Sequence, residues 1–296
     1  MTIPETCSVL LPSYLPAREP CDDSWDIHIL RPVAPLATTP LIGPDLERRP
    51  NYIGVVYCEA TSTDPQTAEV IDLAVCVLEI DRAGVITGVA ELKQSLRDPG
   101  MPIPQEVTRL TGISDADVAG AQFDADDWTH LLAQCDPLVA HNAAYDAVVL
   151  ERLLPGIRRS DWACSMSEID WADLGFDGRS LGYLLMQIGF YNKGHRAMAD
   201  VTSLVHLLSW QAPDRRCLLA HLRDRSDRVT TRVEARGAPF SKKDLLKARG
   251  YKWHAGRRVC WADIEEDALE EEKRWLLDDL RCKPSLQLPT SRQRPR

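Results

Sequence analysis

The sequence contains no Cys-x-x-Cys pair, although nine cysteines are spread along its 296 residues. This spacing argues against a structural zinc site and against a disulfide framework, and it fits a reducing compartment. No stretch approaches the roughly 20 consecutive apolar residues of a transmembrane helix. The N-terminus has no basic segment ahead of an apolar one, so we expect no signal peptide. These absences predict a cytoplasmic protein without a membrane partner.

The chain as a whole also lacks the excess of positive charge that is typical of nucleic-acid-binding proteins, since its formal net charge is −9. The average hides an asymmetry, because residues 214–260 contain 14 basic and 5 acidic side chains, a local net charge of +9. Such a concentration can mark a nucleic-acid contact surface. A solvated surface without a partner is the alternative for a charge cluster considered by itself.

Proline is concentrated at one end of the chain. Residues 1–50 contain nine of the twenty prolines and show no helical or strand periodicity. We therefore expect residues 1–49 to form an extended or disordered arm. Its short apolar run, residues 25–33, can pack either onto the main domain or onto a partner. A length of 296 residues leaves room for one large domain and a smaller one.

The segment 50–212 has the pattern of an α/β domain. Residues 52–59, 70–80 and 85–96 predict three strands joined by short turns, an antiparallel meander. A buried strand follows at residues 137–140, and then a helix that contains Asp146 and runs to about residue 154. Further helices are predicted over 105–110, 124–135, 181–188 and 197–210. We expect a mixed sheet flanked by helices, with the first strand at its centre and parallel to the strand before Asn142.

Residues 213–282 change in character and predict a small basic module. A helix at 215–225 and an extended segment at 228–235 come first. A helix at 241–249, two short strands at 251–254 and 257–261, and an acidic helix at 264–280 then indicate an αββα arrangement. Residues 283–296 are expected to be a disordered tail.

Two aspartates lie where their helices should be apolar. Helical spacing places Asp146 in line with Leu150, and Asp200 in line with Leu204. A buried carboxylate without a partner is costly, and two converging carboxylates repel each other. Glu59 ends the first strand, and ligands of such sheets bind at the carboxyl ends of the strands. The pattern predicts a metal-dependent catalytic centre.

Four motifs resemble the DEDDh (DnaQ-like) exonucleases, relatives of the proofreading epsilon subunit of bacterial DNA polymerase III. They are Glu59-Ala-Thr, Thr111-Gly-Ile-Ser, the segment from His141 to Asp146, and His195-x4-Asp200. The resemblance covers roughly residues 52–210, in the order and spacing of the family. Trp162-Ala-Cys-Ser and residues 238–251 resemble a bacterial subgroup with a C-terminal appendage.

The resemblance implies an RNase H-like fold and removal of nucleotides from 3′ ends with two Mg²⁺ or Mn²⁺ ions. Such ions can activate a water molecule and stabilise the leaving oxygen, and they prefer oxygen ligands. The implied metal ligands are Glu59, Asp146 and Asp200, and His195 is the implied general base. Substrate contacts are expected from both segments of the chain, at Ala60, Thr61, Thr111, Asn142, Lys252 and Arg257.

One position departs from the family. The family opens its first strand with Asp-x-Glu, and its Asp bridges both metals, whereas this chain has Tyr57-Cys58-Glu59. A phenol with a reference pKa of about 10 is a poor magnesium ligand. Asp64 and Asp72 are the nearest other acids, and neither matches the ligand position.

Tyr57 leaves two alternatives for the site, an attenuated enzyme with one metal well held or a non-catalytic binding module. The leading hypothesis is a 3′–5′ exonuclease acting on single-stranded DNA or frayed 3′ ends. Its first alternative is a nucleic-acid-binding protein without catalysis, and its second is an exoribonuclease, because no motif here shows a contact to a 2′-hydroxyl. Protein partners are not indicated by the sequence.

Overall fold

A computed structural model describes residues 29–38, 51–81, 84–158, 160–226, 228 and 230–287. The remaining parts of the expected arm and tail lie outside these residues. The described chain divides into two compact units, one ending at Ser226 and the other containing the residues from 228 onward. Residues 213–226, predicted to begin the basic module, therefore belong to the first unit.

The strands of the described residues range from two to eleven residues in length. In chain order they are β1 (Arg31–Pro32), β2 (Asn51–Ala60), β3 (Val70–Ile80), β4 (Ile86–Leu96), β5 (Leu138–Ala140), β6 (Trp162–Cys164), β7 (Phe190–Tyr191), β8 (Thr230–Arg236), β9 (Lys252–His254), β10 (Val259–Glu265) and β11 (Lys283–Gln287).

The helices of the described residues are mostly short. In chain order they are α1 (Gln105–Thr111), α2 (Asp115–Val118), α3 (Ala125–Leu132), α4 (Ala143–Leu153), α5 (Ser165–Glu168), α6 (Leu181–Gln187), α7 (Ala197–Ser209), α8 (Leu218–Ser226), α9 (Lys243–Ala248) and α10 (Leu269–Asp278), with 3-10 turns at Pro155–Ile157 and Phe240–Lys242. None of these helices in the described residues combines the length and apolarity needed to cross a membrane.

The first unit is built on a five-stranded mixed sheet with the order β4-β3-β2-β5-β6. Strands β2, β3 and β4 form an antiparallel meander, and β5 runs parallel to both β2 and β6. The predicted central position of the first strand and its parallel neighbour before Asn142 are confirmed. Strand β6 was not predicted, because a three-residue strand is too short to show periodicity.

Both faces of this sheet are covered by helices, which explains the continuous apolar run of β3. Alternate side chains point to opposite faces of a strand. Ala74 and Cys76 join the core formed with α6, α7 and α8, while Leu73 and Val75 join the core formed with α3 and α4. This arrangement confirms the predicted RNase H-like α/β fold.

The described part of the N-terminal arm is anchored on the first unit. Arg31–Pro32 pairs in parallel with Phe190–Tyr191, and the carbonyl of Ala34 lies 2.9 Å from Nε2 of His206. Val33 and Leu36 pack against the core that contains α7. Within the described part of the apolar run, residues 31–33 therefore contact the domain, whereas Ile29 is 79% exposed.

The second unit has a four-stranded antiparallel sheet with the order β11-β8-β10-β9, and α9 and α10 supply its helices. Its core includes Val233 from the sheet together with Leu246 and Leu276 from the helices. The predicted αββα arrangement is thus incomplete, because it leaves out two strands. One is β11, which pairs with β8 where a disordered tail was expected. The other is β8 itself, which was predicted only as an extended segment.

Candidate active site

The end of β2 directs neighbouring side chains to opposite faces of the sheet. Tyr57 packs against the core of α7, whereas Cys58 packs against the core of α4. Glu59 shares the face of Tyr57 and is 9% exposed. The register with β3 shifts directly after Glu59, and such irregularities commonly re-aim side chains near functional sites.

Asp146 reaches the same place from the opposite face of the sheet. It lies in the first turn of α4, is 3% exposed, and its Oδ1 accepts hydrogen bonds from the backbone N–H (3.2 Å) and the thiol (3.4 Å) of Cys58. These bonds tie the two motif segments together. Cys58 is a site residue that the sequence did not reveal, because nothing local links it to a residue 88 positions away.

Asp200 completes the group of carboxylates from the first turn of α7, where it is 8% exposed. Burial raises the pKa of Asp200, while the side-chain hydrogen bond of Asn192 and the charge of His195 lower it in part. His195 is exposed and therefore open to solvent and substrate. Its φ of 59° lies in the left-handed region, which non-glycine residues adopt rarely and often at functional sites.

Asp72 holds the start of α7 in place. This fully buried carboxylate accepts hydrogen bonds from Nε2 of Gln94 (2.8 Å), Nε of Arg196 (3.2 Å) and the backbone N–H of Ala197 (3.2 Å). An acidic group at a helix N-terminus satisfies free N–H groups and interacts favourably with the helix dipole. Asp72 is therefore a second residue with a role near the site that the sequence did not assign.

The carboxylates are close enough to raise one another's pKa. Burial, followed by the negative charges of Asp200, Asp72 and Asp146, raises the pKa of Glu59 from 4.5 to about 8. Burial is also the main reason that the pKa of Asp146 rises from 3.8 to about 7, and the hydrogen bonds from Cys58 oppose this rise. Clusters of this kind, with strongly perturbed pKa values, are frequent at active sites.

Two buried oxygens of the cluster, Oε1 of Glu59 and Oδ2 of Asp200, have no hydrogen-bond partner among the residues that the structure describes. A buried acceptor without a partner is costly, and a hard divalent cation prefers such oxygen ligands. The donor set therefore fits a divalent cation in its chemistry. Within the described residues, however, no three His, Cys, Asp or Glu side chains are gathered into a group able to hold a metal.

Tyr57 accounts for part of this incomplete arrangement. Burial, followed by the charges of Asp200, Glu59 and Asp146, raises its pKa far above the usual value of a phenol. A neutral phenol therefore lies close enough to the three carboxylates for their charges to raise its pKa. One oxygen of Asp146 is in addition occupied by Cys58.

The hydroxyls of two expected substrate-binding residues are used within the fold. The Thr61 hydroxyl accepts a hydrogen bond from the N–H of Glu69 (3.0 Å). The Thr111 hydroxyl donates to the carbonyl of Val107 (2.9 Å) and accepts from the N–H of Ile113 (3.1 Å). A role of either threonine in substrate binding remains a prediction.

The other expected contacts divide between the two units. Ala60 follows Glu59 at the register shift and is half-buried, and Asn142 precedes α4 with an exposed side chain that makes no capping hydrogen bond. Both are adjacent in the chain or helix to the carboxylates. Lys252 and Arg257 lie in the second unit. Arg257 is not a free cation, because its Nη1 lies 2.7 Å from Oε1 of Glu234.

The family model described as Exonuclease (RNase T) matches residues 55–208, which is more than half of the chain. The matched segment begins within β2 and ends within α7, so it contains the three carboxylates and His195. A search of curated proteins gives no match.

Three solved structures are similar at low identity. Exonuclease X in complex with 5′-overhanging duplex DNA is 18% identical (57% of this chain, 99% of that chain, TM-score 0.40). The nuclease domain of 3′hExo, a DEDDh family member bound to rAMP, is 17% identical (53% and 89%, TM-score 0.41). Exonuclease I of E. coli in complex with a dA16 oligonucleotide is 13% identical (78% and 70%, TM-score 0.46).

Proposed function

The chain belongs to the Exonuclease (RNase T) family, and on that premise we propose that it removes nucleotides from DNA 3′ ends by metal-dependent hydrolysis. One observation carries the proposal. Three buried carboxylates, Glu59, Asp146 and Asp200, act on one another electrostatically, and within the described residues two of them retain an oxygen without a hydrogen-bond partner. A structural cluster would be expected to satisfy these oxygens internally.

The three carboxylates are the groups that would hold Mg²⁺ or Mn²⁺. When bound, such a cation lowers the pKa of a water molecule and neutralises charge on the phosphate oxygens. Cys58 keeps Asp146 oriented through two hydrogen bonds to the same carboxylate oxygen. Because Tyr57 cannot act as an anionic ligand near neutral pH, we propose that one of the family's two metal positions is weakened.

His195 is the group that accepts a proton from the attacking water at a ring nitrogen. Its side chain is exposed, so it can approach the substrate, and its charge acts on the neighbouring Asp200. Histidine suits this task because its pKa is near neutrality. Asp72 positions it indirectly, since Arg196 and Ala197, the two residues that follow His195, both donate hydrogen bonds to that carboxylate.

Substrate contacts are proposed for the residues that flank the carboxylates. Ala60 and Thr61 follow Glu59, and Asn142 directly precedes the helix of Asp146. Thr111, the last residue of α1, is proposed because it belongs to one of the four motifs. Single-stranded DNA and frayed 3′ ends are the proposed substrates. RNA is the alternative substrate to be tested beside DNA, because the 2′-hydroxyl is the group that distinguishes the two.

The deciding experiment uses the full chain with single-stranded DNA and RNA labelled at either end, in Mg²⁺ or Mn²⁺. We expect stepwise shortening of 5′-labelled DNA and immediate release of the label from 3′-labelled DNA. Asp146→Asn is the inactive control, and Asp126→Asn, on the exposed surface of α3, is the matched acidic control. Release of the 5′ label first, or equal activity of Asp146→Asn, would contradict the proposal.

A nucleic-acid-binding protein without catalysis is the second candidate. The observation that favours it is the neutral phenol of Tyr57 among the three carboxylates. Titration with Mn²⁺ separates the two candidates. Stoichiometric binding together with shortening of the 3′ end supports the enzyme, whereas DNA binding with neither metal uptake nor cleavage supports the binding protein.

A further inference from the structure

The second unit exposes two large aromatic side chains that its core does not use. Phe240 is 81% exposed and Trp253 is 61% exposed, the two highest values for aromatic residues among those described. The core of the unit is closed by other residues, including Leu246, Tyr251 and Leu276. Exposed aromatic groups of this size commonly mark a binding surface.

Trp253 has the size and apolarity of a core residue, and its position explains why it lies outside the core. Strand β9 is at the edge of the sheet, and its three residues are all exposed. In the register of the sheet, Trp253 lies beside Cys260, and Cys260 lies beside Ala235. Trp253 therefore lies on the same apolar face as these two residues, but at the edge of the sheet, where the helices do not cover it. Trp261, by contrast, is half-buried, with the guanidinium of Arg232 4.2 Å from its ring centroid.

One lysine lies beside Phe240, whereas Lys252 is in register with Trp261 and points to the opposite face of β9 from Trp253. Nζ of Lys243 lies 4.6 Å from the ring centroid of Phe240. Lys252 precedes Trp253 in β9 and is exposed, and its Nζ is 5.5 Å from the ring centroid of Trp261. The connection between the two positions is short, because α9 leads through residues 249–251 directly into β9.

The arginines of the unit are mostly committed to ion pairs, which changes the interpretation of the basic excess. Their acidic partners come from β8, β10 and α10, as in Arg228–Glu265, Arg232–Asp263, Arg236–Glu234, Arg249–Glu272 and Arg257–Glu234. These pairs neutralise much of the local charge. The cation that lies beside the exposed ring of Phe240 is a lysine, Lys243.

We propose that the exposed aromatic residues of segment 240–253 contact single-stranded nucleic acid, with bases stacking against Phe240 and Trp253 and a phosphate approaching Lys243 beside Phe240. Flat apolar groups with a cation beside them match the bases and phosphates of a single strand, which proteins grip by stacking and charge. An acidic peptide would supply negative charge for the lysine but no flat bases to stack on the aromatic rings. The choice of nucleic acid as the partner rests on the proposed function.

The test uses the full chain with the substitution Asp146→Asn, so that binding is measured without hydrolysis. The affinity for a labelled 20-nucleotide DNA strand is measured by fluorescence anisotropy. Replacing either aromatic residue with Ala is expected to weaken binding about tenfold. Trp253→Phe, which keeps a flat ring, should bind within about twofold of the parent. Leu277→Ala is the matched control, because Leu277 is 51% exposed on the acidic helix α10 and lies outside the proposed surface.

Salt dependence tests Lys243 separately. For single strands the slope of log affinity against log salt changes by about 0.7 for each phosphate contact, so Lys243→Gln should reduce it by about 0.7. Unchanged affinity of the Phe240→Ala/Trp253→Ala chain, with an unchanged melting temperature, would overturn the proposal. So would equally tight binding of a polyglutamate peptide with the same dependence on the two aromatic residues. Because catalysis is not used, absence of hydrolysis by the wild-type chain would refute the proposed function and leave this result intact.

Discussion

At the scale of single residues, the site combines burial with negative charge in a way that metal binding can relieve. Asp146 and Asp200 are 3% and 8% exposed, and they come from helices on opposite faces of the sheet. Asp146→Ala and Asp200→Ala are each expected to reduce nuclease activity at least about a hundredfold, because each removes an oxygen ligand. Activity is measured with labelled DNA, and circular dichroism checks the fold. Wild-type rates in either variant would show that the site is assigned wrongly.

Tyr57 offers a test in the opposite direction. Tyr57→Asp places a carboxylate among Glu59, Asp146 and Asp200, so we expect tighter metal binding and a higher rate. The parent chain should prefer Mn²⁺, since Mg²⁺ gives up its water reluctantly, and the variant should lose that preference. Metal affinity by calorimetry and the ratio of rates in the two metals provide the measurement. Tyr57→Phe is the control, because it removes the hydroxyl of the side chain without adding a charge.

The raised pKa of Glu59 predicts how stability depends on pH without metal. In the folded chain its pKa is about 8, against an ordinary value of 4.5. Between these values the folded state binds more protons than the unfolded state, so stability falls as the pH rises. Glu59→Gln should therefore be more stable than the wild type at pH 8, by on the order of 2 kcal/mol, and similar at pH 4.5.

Thermal unfolding at a series of pH values checks this sign. Added Mn²⁺ should stabilise the wild type more at pH 8 than at pH 5.5, because binding must displace protons. It should have a much smaller effect on Glu59→Gln. A wild-type melting temperature that rises steadily from pH 5 to pH 8 without metal would contradict the pKa assignment.

At the scale of elements, the start of α7 decides where His195 and Asp200 stand. Asp72→Asn keeps the size of the side chain but removes its charge toward Arg196 and the N–H of Ala197. Hydrogen bonds to charged groups contribute about 1.5–3 kcal/mol, so a loss of stability of that order is expected. We also expect kcat to fall more than KM changes, because the general base is displaced while the substrate surface is retained.

Asp98→Asn is a matched control for this prediction, since Asp98 is an exposed acid. A positioning role also predicts a shifted pH profile of kcat, which a purely structural role would leave unchanged. If the Asp72→Asn chain is less stable but keeps the wild-type kcat and pH profile, Asp72 has only a structural role.

At the scale of the whole molecule, the boundary between the two units determines which truncations fold. Leu218, Leu219 and Leu222 of α8 are fully buried in the core of the first unit. Removing buried leucines costs about 2–5 kcal/mol each, and the total stability of a domain is only about 5–15 kcal/mol. A chain that ends at Ala212 should therefore be unfolded, whereas one that ends at Ser226 should fold.

Cooperative thermal unfolding and near-UV circular dichroism distinguish the two truncations. The chain ending at Ser226 should keep its metal affinity, because all three carboxylates lie before that point. Its affinity for single-stranded DNA should fall well below that of the full chain. A folded chain ending at Ala212 would mean that α8 is dispensable to the core.

The sequence by itself determined the features that have a local signature. The strand-length segments β2, β3 and β4, joined by short turns, predicted a meander, and the off-pattern carboxylates of Asp146 and Asp200 predicted a buried acidic site. The second inference works because a helix repeats every 3.6 residues, so that neighbours in the chain indicate the side that faces the core. Glu59 and its place at the end of the first strand also followed from the sequence.

Only the tertiary structure decided the contacts between residues that are distant in the chain. Four such features were not predicted. They are the hydrogen bonds of Cys58 to Asp146, the hydrogen bonds of Asp72 to the start of α7, the packing of α8 in the core of the first unit and the exposure of Trp253. The local sequence around such a residue or helix is the same whichever surface of the fold it contacts. What each one does depends on the element packed against it, and that is set by the fold of the whole chain.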